Sequence, residues 1–102
     1  MNNEKKDGQK PITINSHVYR DPEMVAAPMG DELVMFSLDR GMYYGLDDIA
    51  SDIWVKLETP ISVQELCTSL MEEYEVDLET CQNETLNLLN WLFDQKLVKI
   101  DQ

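Results

Sequence analysis

The residues that could do chemistry are few. His17 is the sole histidine, and Cys67 and Cys81 are the sole cysteines. Carboxylates stand in adjacent pairs at Asp47–Asp48 and Glu72–Glu73. These types could serve a metal site, a thiol nucleophile with an imidazole base, or paired-carboxylate acid–base catalysis. None has the spacing its chemistry needs. Cys67 and Cys81 form no C-x-x-C pair, and His17 lies far upstream in an early loop, so no zinc-ligand pattern exists. The same distance argues against a Cys-His or Ser-His-Asp constellation. Neighbouring carboxylates project in different directions from a helix. Asp47–Asp48 falls at a helix start, where the dipole favours acids, and Glu72–Glu73 falls on a polar face. Four glycines make no phosphate-binding loop. We expect no catalytic residue, no metal and no cofactor. A disulfide between the cysteines is open on paper, but two buried thiols in a reducing cytoplasm fit the pattern better.

The elements that would position any site must come from 102 residues, enough for one modest core. Hydrophobic residues make up 43% of the chain. Its 20 acidic and 8 basic side chains give a net charge of -12, which disfavours a polyanionic partner, because nucleic-acid binding rests on Lys and Arg at phosphates. No apolar run approaches the ~20 residues that span a bilayer, and the start, MNNEKKDGQK, lacks the apolar stretch of a secretory signal. We expect a cytoplasmic protein with no membrane or nucleic-acid partner.

Met1–Lys10 is polar and aperiodic and reads as a mobile tail. Pro11–Arg20 reads as a short extended segment, so residues 1–22 form a mobile or extended N-terminal segment and 23–102 the domain. Three strands follow: Met24–Pro28, Glu32–Leu38 and Met42–Leu46, joined by Gly30-Asp31 and by a three-residue loop with Gly41 left-handed. Pairing Leu38 with Met42 puts Val34, Phe36, Leu38, Met42, Tyr44 and Leu46 on one apolar face, and turns the N–H groups of Tyr43 and Gly45 to the outer edge.

Three helices cover that face. Asp47 or Asp48 caps the first, with Ile49, Ile53 and Leu57 four apart beside Ala50 and Trp54. Ser62 and Glu65 form a capping box on the second, whose stripe is Val63, Leu66, Cys67, Leu70, Met71 and Tyr74. The third runs from about Leu78 to Gln95. Its stripe of Leu78, Cys81, Thr85, Leu88, Leu89 and Leu92 is widened by Leu86 and Phe93 to roughly 160°, beyond the ~100° a core-facing stripe needs. Either this helix is deeply buried, or one border lines a groove. Trp91 lies nearly opposite, and either packs on the N-terminal segment or stands exposed in a second contact surface. Leu97–Ile100 reads as a short terminal strand. The fold class is α+β, winged helix-turn-helix-like: a three-stranded antiparallel sheet followed by three helices. DNA binding, that shape's usual work, fails on charge. Between Lys56 and Lys96 there is no Lys or Arg, against nine Asp or Glu. What remains is a binding module. The strand Met42–Leu46 ends the meander and carries no Lys or Pro to blunt its edge. Either another part of the chain covers it, or a partner adds a strand there.

The stretch from Leu33 to Ile100 resembles the PqqD-like proteins, the RiPP recognition elements. The resemblance rests on LVMFSLDRGMYYGLDDIASDIWVKL, SVQELCTSLMEEYEVD and NLLNWLFDQKLV. Within that family, L-D-R-G-x-Y-Y-G-L followed by I-W looks most like the stand-alone members of lasso-peptide biosynthesis. Lys96 stands where the family often has Gly. The resemblance implies that the protein binds the leader segment of a ribosomally made precursor peptide by strand addition. It then presents the leader to a separate leader peptidase and next to a cyclase. It also implies a groove between the third strand and the third helix, lined by Met42, Tyr43, Tyr44, Gly45, Leu46, Leu86, Asn90 and Phe93. The alternative is an acidic winged-helix interaction module or regulator unrelated to peptide maturation.

Overall fold

The chain's architecture is described from a computed structural model covering residues 10–30, 32–37 and 41–101. Expectations for Met1–Gln9, Asp31 and Leu38–Arg40 lie outside the described residues. Six strands and three helices follow in order: β1 (His17–Arg20), β2 (Val25–Met29), β3 (Glu32–Ser37), β4 (Met42–Leu46), α1 (Asp48–Lys56), β5 (Ile61–Ser62), α2 (Val63–Glu73), α3 (Leu78–Asp94) and β6 (Val98–Asp101). The fold is α+β, as expected, with two antiparallel three-stranded sheets among the described residues. One is the meander β2-β3-β4 and the other has the order β5-β1-β6.

The second sheet is more than the sequence pattern announced. Pro11–Arg20 was read as an extended segment. Its end, β1, is the central strand between β5 and β6, and Ile12 and Val18 are both buried in the core. Ile61–Ser62 carries two roles: a short strand on β1 and, through Ser62, the cap of α2. β6 pairs all four residues of β1.

The meander's register corrects the expected one. Leu33 pairs with Leu46, Met35 with Tyr44, Phe36 with Tyr43 and Ser37 with Met42. Ser37 therefore takes the place opposite Met42 expected for Leu38, and Gly41 is left-handed as expected. A one-residue slip moves every β3 side chain to the other face. Met35, Tyr44 and Leu46 are buried in the core, while Phe36 stacks on Tyr43 across the outer face at 4.8 Å. The physical reason is that β3 is apolar at both parities. Leu33 and Met35 fill the core as well as Val34 and Phe36 would, so alternation alone could not choose. Ser51 holds the chosen register: its hydroxyl accepts from the Leu33 N–H (3.3 Å) and donates to the Leu46 carbonyl (3.1 Å).

The helices start where the caps require. The Asp47 side chain accepts from the Ala50 N–H at 2.9 Å, Ser62 and Glu65 close a capping box, and Asp77 accepts from Thr80. Ala50, Ile53 and Trp54 are buried on α1, as is Leu57 at its C-cap; Ile49 is exposed, so the α1 stripe is narrower than expected. Arg20 secures the C-terminal turn of α1, donating to the Trp54 carbonyl at 3.1 Å while lying over the Trp54 ring. Tyr74 donates to Asp52, and Lys56 pairs with Glu73 at 3.0 Å, joining α1 to α2. Cys67 and Cys81 are free, buried thiols, and burial pushes the Cys67 thiol up to about 11. No group of three or more metal-ligating side chains is present among the described residues. No helix among them is long and apolar enough to cross a membrane.

Candidate functional site

The outward edge of β4 follows from two local features of β2. A two-residue loop closes β2 onto β3 between Met29 and Glu32, with Gly30 left-handed. The closing pair of such a hairpin is hydrogen-bonded. Glu32, Val34 and Phe36 therefore turn their N–H and C=O groups to β2, and Leu33, Met35 and Ser37 turn theirs to β4. Pro28 agrees, since it opposes Leu33, where no β2–β3 hydrogen bond falls and a missing N–H costs the ladder nothing. Across the next pairing, Met42, Tyr44 and Leu46 face inward. Tyr43 and Gly45 face their N–H and C=O groups out, where no described strand pairs with them. This is the direction expected from the sequence, although the register there was off by one. The slip falls on the β3 side, from Leu38 to Ser37, and Met42 keeps its place as the first paired residue of β4.

The sheet thus has two outer strands of unequal character. The edge of β2 offers only the Ala26 N–H, because Pro28 has none. The edge of β4 offers two, and its neighbourhood is apolar. Tyr43 is 74% exposed, Met42 is 47% exposed, and Trp91 of α3, 45% exposed, meets Tyr44 edge-on at 6.0 Å.

Trp91 decides which border of α3 faces the strand. It lies roughly 160° around the helix from Phe93 and about 140° from Leu86. Leu88, half-buried, shares the border of Trp91. The structure therefore brings Met42, Tyr43, Tyr44, Gly45 and Leu46 together with Trp91, and does not bring Leu86, Asn90 and Phe93 to that side. Asn90 is already engaged. Its side chain accepts from the Ile12 N–H at 3.0 Å and donates to the Ile12 carbonyl at 3.1 Å, clamping the N-terminal segment along α3. Phe93 and Asn90 line a groove of about 1030 Å³ that Trp91 also borders; its further walls include Lys10, Pro11, Lys99 and Ile100, and no β4 residue. Within the strand, the side chains of Tyr44 and Leu46 are buried, so these residues shape the floor while Met42, Tyr43 and Gly45 present the accessible surface. Sequence reasoning left Trp91 open between the N-terminal segment and a second contact surface, and did not join it to β4. The available signal was Leu88 of the stripe and Trp91 outside it, two large apolar side chains three residues apart.

A family model described as "Coenzyme PQQ synthesis protein D (PqqD)" matches residues 32–98. The match includes the meander's last two strands and all three helices. It starts after the Ile12 clamp and β1. No curated protein matches the chain. Among solved structures, the chain is similar to one described as "TbiB1 in Complex with the TbiA(beta) Leader Peptide". The TM-score is 0.73 at 31% identity, over 79% of this chain and 94% of that one.

Proposed function

The chain belongs to the PqqD family, as a PqqD-like RiPP recognition element, and from that premise we propose that it binds the leader segment of a ribosomally made precursor peptide at the outer edge of β4. The observation that carries this reading is the pairing of that edge with Trp91. Two outward N–H groups, at Tyr43 and Gly45, stand beside an exposed aromatic shelf, and the sheet's other edge is blunted by Pro28. The similar TbiB1 structure holds a leader peptide.

A disordered leader gives up backbone freedom on binding. Main-chain hydrogen bonds to Tyr43 and Gly45 offset part of that loss whatever the leader's sequence. Selectivity then comes from alternate side chains. Leader side chains on the inner face meet the Trp91 and Leu88 border, where burying one large apolar group contributes about 1.5–3 kcal/mol. Two such anchors together with the strand suffice for about micromolar affinity. The protein supplies no catalytic step in this scheme. It holds the leader for a separate leader peptidase of a lasso-peptide pathway, and then for the cyclase. Fluorescence anisotropy with labelled leader and labelled core peptides of the precursor encoded beside this gene tests the reading. Binding of the leader alone is expected. Equal affinity for both, or none for either, overturns it.

A further inference from the structure

Gly45 is a glycine that the fold does not require. It sits in mid-strand, where glycine is disfavoured, and its φ is not left-handed. A Cβ built there meets a single atom within 4 Å, the Glu32 Oε1 at 3.9 Å, which is ordinary contact. So neither backbone strain nor crowding explains the missing side chain. Its effect is a notch on the outer face of β4, between the exposed Tyr43 and the end of the strand, with Val34 opposite on β3.

Glu32 gives that notch its chemistry. The outer face of the meander carries Val25, Ala27 and Met29 from β2, Glu32, Val34 and Phe36 from β3, and Tyr43 and Gly45 from β4. Glu32 is its one charged side chain among the described residues. It is exposed and has no hydrogen-bond or ion-pair partner among them. Its carboxylate leans over β4 to the place a Gly45 side chain would fill.

Resting on the proposed strand addition, we infer that the Gly45–Glu32 notch is a specificity subsite for a basic leader side chain. A leader residue opposite Gly45 shares Gly45's face. It lies one strand spacing, about 4.8 Å, beyond β4. From there a Lys or Arg stem crosses the bare Gly45 backbone, and its head reaches Glu32. A side chain at position 45 would block that path. The chain's overall charge of -12 favours the same class of residue, though without fixing its place.

The test is a set of leader peptides in which each position in turn is Lys, Ala or Glu, titrated against wild type, Glu32→Lys and Gly45→Ala. One leader position should prefer Lys to Glu on wild type by about two- to fivefold, the range of an exposed ion pair. Glu32→Lys should reverse the preference at that position only. Gly45→Ala should melt at an equal or higher temperature than wild type, since it relieves a mid-strand glycine, yet bind the Lys-bearing leader about two- to fivefold more weakly, the loss of that ion pair. Tight leader binding with no position-specific charge preference, or with Gly45→Ala binding at wild-type affinity, overturns the subsite and leaves strand addition standing. No binding of any leader by wild type overturns the strand-addition reading, and the subsite with it.

Discussion

Along one border of α3, Leu86, Asn90 and Phe93 run beside the chain's own N-terminal segment, with Asn90 bonded to both backbone groups of Ile12. Along the other stand Leu88, packed against the core, and Trp91, which meets Tyr44 of β4, where the outward backbone of Tyr43 and Gly45 has no described partner. Both borders carry large side chains outside the core stripe. The difference lies in what arrives from elsewhere in the chain. An Asn side chain that grips the N–H and C=O of one residue is a peptide-holding device, and here it holds the protein's own segment. The opposite border leaves its aromatic, Trp91, 45% exposed, touching Tyr44 on one side and bordering the groove beside Pro11 on the other. A wide apolar stripe on a helix therefore signals more than one contact, and only the tertiary partner shows which contact is internal.

The largest expected effect separates the two faces of β4 rather than the two borders of α3. Tyr44→Pro removes an N–H that faces β3 and orphans a carbonyl, costing about 1–3 kcal/mol for that group alone on top of ring clashes in the buried sheet. A domain of this size has about 5–15 kcal/mol in hand, so the variant should melt far below wild type in circular dichroism. Next comes the open border. Trp91→Ala should weaken leader binding by about 2 kcal/mol, near thirtyfold, as exposed aromatic anchors do. The lost edge contact with Tyr44 should cost the fold only about 0.5–1.5 kcal/mol. The closed border should behave in the opposite way. Asn90→Ala leaves the Ile12 backbone without its partners and should cost about 1–3 kcal/mol of stability by denaturant melt, with leader affinity changed less than twofold. If Asn90→Ala and Trp91→Ala affect binding alike, the contrast between the borders is wrong.

Much of this was legible in the residues. The three helices, the Ser62–Glu65 capping box and the α+β class follow from periodicity and capping chemistry, which are local. The direction of the Tyr43 and Gly45 amides was legible too, because it depends only on Met42 closing the hairpin. The register was not. β3 reads Leu33-Val34-Met35-Phe36, apolar at every position, so either face could have been the inner one until Ser51 and the core chose. The N-terminal segment was not legible either. Its contribution rests on Ile12 and Val18, two isolated apolar residues whose burial depends on α3, β5 and β6. The lining by Leu86, Asn90 and Phe93 came with the resemblance, and the Ile12 backbone that engages Asn90 was not legible beside it.

The smallest perturbation in the series is Tyr43→Pro, which deletes one outward N–H and should leave the fold in place while lowering leader affinity by roughly two- to tenfold. The matching change on the other edge, Ala26→Pro, should lower affinity not at all.

The central claim is that a leader strand pairs with the outer edge of β4. Amide hydrogen exchange, read residue by residue with and without leader peptide, addresses it without any substitution. The account predicts that the Tyr43 and Gly45 amides exchange freely in the unbound protein and become protected when leader is added, while the Ala26 amide on the opposite edge stays unprotected. Saturating leader binding that leaves Tyr43 and Gly45 exchanging as before would contradict it.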